Sequence, residues 1–109
     1  MTRAQRAMQV WMILVAAAHD RRTLTYGHVA DLLRFEGAGV LAQTLGLIMT
    51  HCHRKGLPPL TILVVNQQTG LPGEGLTTIE NLNQDREAVF NHNWYAMAPV
   101  QVREFEELA

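Results

Sequence analysis

The sequence contains a single cysteine, Cys52, among its 109 residues. One cysteine excludes an internal disulfide and a four-cysteine zinc site, and it is typical of a cytoplasmic protein rather than a secreted one. No secretory signal is recognisable, and the longest uninterrupted apolar run, Val10 to Ala18, is far shorter than the roughly 20 residues of a membrane-spanning helix. We therefore expect a cytoplasmic protein with no membrane partner.

Charged residues are also few, at 17% of the chain, and they are unevenly placed. The first 60 residues carry seven Arg or Lys against three Asp or Glu, a net charge of +4. The remaining 49 carry two against seven, a net charge of −5. This asymmetry predicts either a polar partner for the basic half or an acidic end that shields it.

The hydrophobic content of 48% is sufficient for one folded domain, which we expect to span residues 1–109. Within it we expect a core over residues 1–80 and an acidic extension over 81–109. Apolar residues at spacings of three and four predict a first helix from Arg3 to His19. A second helix, capped by Thr25, is expected to carry Val29 and Leu33.

A third helix is predicted from Val40 to Lys55, ending at Gly56. The run Leu60–Val65 is rich in β-branched residues and predicts a strand, followed by a turn at Asn66–Gly70 and a loose second arm at Leu71–Leu76. Three helices and a β-hairpin predict an α+β winged helix-turn-helix. Its additional C-terminal helical segment would comprise a helix beginning at Asn83 or Asp85 and an amphipathic stretch from Pro99 to Leu108.

Four stretches carry a family resemblance: Thr25–Ala30 (TYGHVA), Leu41–Gly46, Leu57–Leu60 and Val64–Gly70. Over about residues 8–76 the chain resembles the DNA-binding domain of the alkylguanine-DNA alkyltransferases and alkyltransferase-like proteins. The resemblance implies a recognition helix that enters the minor groove, and it implies that Tyr26 contacts the DNA backbone.

The chain departs from that family at the residues that carry its chemistry. Thr61 lies where the family has its nucleophilic cysteine, and Gly39 lies where it has an intercalating arginine. The triplet Cys52-His53-Arg54 looks like the missing motif but falls on the third helix. Because a threonine without a base is not a nucleophile, we expect no alkyl transfer and no enzyme activity.

The polar positions of the basic half suggest a surface for nucleic acid. Gln and Arg can hydrogen-bond to base edges, and Arg, Lys, Thr and Tyr can bind phosphates. The predicted DNA-binding residues are Arg21, Arg22, Tyr26, Gln43, Thr50, His51, Arg54 and Lys55. We expect Gln43, Thr50, His51 and Arg54 to face outward from the third helix, with Leu47 among them and Cys52 on the buried stripe.

These residues predict a non-enzymatic DNA-binding protein with a regulatory or damage-sensing role, with duplex DNA as partner. The alternative is a winged-helix protein-interaction module, such as an inhibitor, an immunity-type protein or an adaptor. The first helix is apolar on more than one side and Trp94-Tyr95 are adjacent aromatics, so a homodimer or another protein partner is the competing expectation. His51, Cys52 and His53 are consecutive and diverge around a helix, so neither a metal nor a cofactor is expected.

Overall fold

The fold is built from helices and one very short sheet. The computed structural model describes residues 1–36, 38–73 and 81–108. In chain order its elements are α1 (Arg3–His19), β1 (Leu24–Thr25), α2 (Tyr26–Leu33), α3 (Ala38–Lys55), β2 (Val64–Val65), α4 (Leu82–Asn91) and α5 (Val102–Glu106). Short 3-10 helices at Leu60–Leu63 and Trp94–Ala96 lie between these elements. No helix within these ranges combines the length and apolar character needed to cross a bilayer.

The first two helices begin at the residues that the sequence predicts. Thr2 caps α1 by accepting a hydrogen bond from the Gln5 backbone N–H at 3.1 Å, and its own N–H donates to the Gln5 side chain at 2.8 Å. Thr25 caps α2 by accepting from the His28 backbone N–H at 3.1 Å. Such caps satisfy amide groups that a helix leaves unpaired at its start, so both boundaries are confirmed.

The predicted winged helix-turn-helix is wrong. In the described part of the chain β1 and β2 pair in parallel, with Leu24 opposite Val64 and Thr25 opposite Val65. A parallel pair needs a long crossover, here supplied by α2 and α3. The turn at Asn66–Gly70 forms as predicted, but up to Gly73, where the described segment ends, it is followed by a single antiparallel bridge between Val65 and Pro72 instead of a hairpin wing. Residues 74–76 of the expected second arm lie outside the described residues.

The strand predicted over Leu60–Val65 is correct only at its last two residues. Leu60–Leu63 form a 3-10 helix whose four side chains are fully buried. A short run that is buried on all sides has no hydrophobic periodicity, and apolar content alone does not distinguish a strand from a helical turn. Pro72 has no backbone N–H, so it cannot donate the hydrogen bond that regular antiparallel pairing would need at this residue.

The core is centred on α1, which packs against α3, α4, α5 and the first 3-10 helix. Trp11 and Trp94 are the largest residues of this core, and the ring centroid of Trp11 lies 5.6 Å from that of Trp94 and 6.1 Å from that of Phe105. Four buried residues of the predicted acidic extension, Val89, Trp94, Val100 and Phe105, belong to the same hydrophobic cluster. The C-terminal part of the chain thus has charged residues on its surface and apolar residues in the common core.

Candidate functional site

One side of α3 is not covered by the rest of the protein. Between the first and last turns, its buried residues occupy one arc of the helix and its exposed or half-exposed residues the other. We call this second arc the exposed α3 face; it consists of Gly39, Ala42, Gln43, Gly46, Met49, Thr50, His53 and Arg54. The face contains no acidic residue, and its N-terminal half contains only small side chains besides Gln43, with the exposed Val40 at its border.

The two glycines of the exposed α3 face are not required by internal packing. Apart from the adjacent residues and the nearby backbone of α3 itself, a Cβ atom built on Gly39 or Gly46 would meet no atom within 4 Å. Glycine inside a helix costs about 0.5–1 kcal/mol relative to alanine, so these positions weaken α3 without a compensating contact inside the protein. Their effect is to leave a shallow surface on which another molecule can approach the α3 backbone closely.

Three predicted DNA-binding residues are available for contact. Arg22, Gln43 and Arg54 are exposed, and their side chains make no hydrogen bond or ion pair within residues 1–36, 38–73 and 81–108. Gln43 and Arg54 belong to the exposed α3 face, about 16 Å apart along the helix at 1.5 Å per residue. Arg22 lies outside α3, in the turn between α1 and β1.

Arg21 is instead engaged with the acidic helix α4. Its guanidinium donates to both carboxylate oxygens of Glu87 at 3.0 and 2.9 Å and to the Asn91 side-chain oxygen at 3.2 Å. It also lies 5.0 Å from the centre of the Phe90 ring. The acidic end therefore pairs with the basic half at this residue, through side chains that remain half-exposed.

Three further members of the predicted set are partly occupied by intramolecular contacts. The Tyr26 hydroxyl accepts a hydrogen bond from the Gly73 backbone N–H at 3.0 Å. The Thr50 hydroxyl donates to the Gly46 carbonyl at 3.0 Å. Lys55 Nζ lies 4.0 Å from Glu104 Oε1. Each group therefore has a structural partner before any ligand binds.

The expectation that His51 faces outward is wrong. His51 is only 3% exposed, and its ring centroid lies 5.4 Å from that of Trp11 and 5.3 Å from that of Phe105. Leu47, also expected on the outer face, is 8% exposed. Helix α5 packs against both α1 and α3. Nothing local in the α3 sequence indicates that contact.

Lowering the pH is expected to destabilise the protein through His51. Burial lowers the pKa of His51 below its ordinary value of 6.5, and Lys55 lowers it further while Glu104 opposes the shift. The folded state thus binds fewer protons than the unfolded state, so the free energy of unfolding decreases as the pH falls below about 6.5 through the folded-state value. Urea unfolding at several pH values between 7 and 5 should show a shallower decrease in His51→Gln than in the wild type.

The matched control is His53→Gln, which alters an exposed histidine of the same helix. We expect that variant to keep the wild-type pH dependence. An identical slope in the wild type and His51→Gln would contradict the assignment.

Cys52 and Thr61, the two residues related to the family's nucleophile, are both buried. Cys52 is 2% exposed, as predicted, and burial raises its pKa to about 11, with a partial opposing effect from the Leu60 backbone. The thiol is therefore protonated at neutral pH and is a poor nucleophile. Thr61 is fully buried, and its hydroxyl has no hydrogen-bond partner in the part of the chain that the structure describes. No described base activates it.

The described residues contain no group of three His, Cys, Asp or Glu side chains arranged to bind a metal ion. Comparison of the chain with protein-family models, with curated proteins and with solved structures finds no match. The exposed α3 face has a signal in the sequence, because Gly39, Gln43 and Gly46 recur at spacings of four and three.

Proposed function

We propose that this protein is a cytoplasmic, non-enzymatic protein that binds duplex DNA through the exposed α3 face. The observation that carries the proposal is the pair of helical glycines, Gly39 and Gly46, which have open space above them and no role in internal packing. The resemblance of the sequence motifs assigns this same helix to DNA, although the winged helix-turn-helix that it implies is not the fold of the described residues.

For α3 to contact a DNA groove closely, the side chains on the contacting face must be small. The minor groove, to which the resemblance assigns the recognition helix, is about 6 Å wide in B-DNA. Glycine and alanine allow the α3 backbone to approach the groove edges, where longer side chains would hold it away. Gln43, between the two glycines, offers both a donor and an acceptor to base edges.

Few of the predicted cationic side chains are free to contact phosphates, and their number limits the expected affinity for DNA. Arg22 and Arg54 can each neutralise a phosphate without first breaking an ion pair. Each phosphate contact changes the logarithmic salt slope by about −0.9, so we expect weak binding that is lost at moderate salt.

Replacing Arg54 with alanine is expected to weaken duplex binding about fivefold to tenfold at low salt and to reduce the salt slope by about one. The change removes a phosphate contact and leaves the exposed α3 face otherwise unchanged. Fluorescence anisotropy of a labelled duplex, titrated at low and moderate salt, measures both quantities.

Arg3→Ala is the matched control, because Arg3 is also exposed but lies in the first turn of α1. It removes the same charge and should change the affinity by less than about twofold. If the two variants lost the same affinity for duplex DNA, the effect would come from the net charge and not from the position of Arg54. Absence of binding at low salt would refute the proposal.

An apolar groove on α1 favours a protein partner as the second candidate function. The groove has a volume of about 370 Å³ and is lined by Met8, Trp11, Trp94 and neighbouring residues. At its edge Met12 and Tyr95 remain 60% and 61% exposed. Light scattering that reports a dimer, or one stoichiometric protein partner, together with no DNA binding, would support this function instead.

A further inference from the structure

A cleft of about 900 Å³ lies between the C-terminal turn of α3 and the segment that leads into α5. Its lining combines two chemical types. The apolar residues are Leu57, Met97, Val100 and Leu108, and the charged residues are Arg54, Lys55, Arg103, Glu104 and Glu107. The volume is within the range of about 300–1,000 Å³ that is typical of small-molecule sites.

Some of the charged side chains that line this cleft have a hydrogen-bond or ionic partner, and others have none within the described residues. Glu104 accepts a hydrogen bond from the Gln101 backbone N–H at 2.8 Å, and its other oxygen lies 4.0 Å from Lys55 Nζ. Arg54 and Arg103, in contrast, form no ion pair with any described carboxylate. Two guanidinium groups from different helices therefore border one cleft without an ion pair to a described residue, and the carboxylate of Glu107, which lines the same cleft, is likewise unpaired there.

His51 lines the same cleft and is almost completely buried. Its ring is in contact with Trp11 and Phe105, yet its nitrogens make no hydrogen bond to any residue in the described ranges. Because His51 lines the cleft, its imidazole can hydrogen-bond to a polar atom placed there.

We propose that the cleft binds a small amphipathic monocarboxylate. Its carboxylate would lie between Arg54 and Arg103, its apolar body against Leu57, Met97, Val100 and Leu108, and a polar atom of the body would hydrogen-bond to His51. Three cations and two carboxylates line the cleft, a net charge of +1, which matches a monoanion better than a phosphate dianion. Guanidinium groups bind carboxylates in a bidentate geometry, which supplies the specificity.

Calorimetric titration with 1-naphthylacetate tests the proposal against two matched compounds. The uncharged 1-naphthylacetamide has the same body, and acetate has the charge without the body. We expect 1-naphthylacetate to bind at least about tenfold more tightly than either, because a charge-assisted hydrogen bond and the burial of an aromatic body each contribute at least this factor.

Arg103→Ala should weaken 1-naphthylacetate binding about tenfold, and Arg103→Lys should restore part of the loss. Arg103 is exposed, so neither change should affect folding, and Arg3→Ala should bind as the wild type does. A shift of the His51 ring resonances on titration would locate the ligand in this cleft. Three results would each overturn the proposal. The amide could bind as tightly as 1-naphthylacetate, or Arg103→Ala could bind 1-naphthylacetate as the wild type does. The third is that neither 1-naphthylacetate nor decanoate shows saturable binding at millimolar concentration.

The cleft and the proposed DNA contact share Arg54, so the two proposals are separated with variants of residues that belong to only one of the surfaces. Arg103→Ala should leave duplex affinity within about twofold, and Arg22→Ala should leave 1-naphthylacetate binding unchanged. Loss of one activity with retention of the other therefore shows which of the two proposals has failed.

Discussion

Replacing Phe105 with alanine is expected to lower the free energy of unfolding by about 3–5 kcal/mol, a large part of the stability of a domain of this size. Phe105 is fully buried, and its ring is next to those of Trp11 and His51. Helix α5 has only five residues, too few to form a stable helix alone, so its position depends on this contact. Without the ring, a cavity would remain between α1, α3 and α5.

Urea denaturation followed by Trp fluorescence measures this loss. The control is Val102→Ala, a half-buried position in the same helix, for which we expect a cost of less than about 1.5 kcal/mol. If the two variants were equally stable, Phe105 would not be the residue that holds α5 on the core.

Replacing Gly46 with methionine should have opposite effects on stability and on DNA binding. Removing a helical glycine is expected to raise the free energy of unfolding by about 0.5–1 kcal/mol, since the added Cβ has open space around it. The same side chain would project from the exposed α3 face and hold a duplex away from the helix. We expect the dissociation constant for duplex DNA to increase by at least about tenfold, which corresponds to 1.4 kcal/mol.

The matched control is Ala16→Met, which adds a methionine to an exposed position of α1. Circular dichroism melting and duplex anisotropy should be measured on both variants. The control should bind DNA as the wild type does. Unchanged affinity in Gly46→Met would show that DNA does not contact this part of α3.

The helices could be predicted from the sequence because their signals are local. Capping by Thr25, the apolar periodicity of residues 3–19 and the stop at Gly56 each depend on residues within a few positions of one another. Burial of Cys52 was predicted for the same reason, since it continues the apolar stripe of α3. The helical glycines of the exposed α3 face are equally visible in the sequence.

The features that could not be predicted depend on contacts between distant parts of the chain. The pairing of Leu24 with Val64 joins residues 40 positions apart, and the pair Arg21–Glu87 joins residues 66 positions apart. The burial of His51 depends on where α5 packs. Periodicity describes one element at a time, so it identifies an apolar face without identifying what covers it.

The contact between α1 and α5 has a consequence for the order in which the protein is made. Trp11 and Phe105 are 94 positions apart in the sequence, and their ring centroids lie 6.1 Å apart. A contact between such distant residues forms only after the whole intervening segment has been synthesised, so during translation α1 presents an apolar surface that α5 does not yet cover. Exposed apolar surface of this kind is what leads nascent chains to aggregate or to be bound by chaperones.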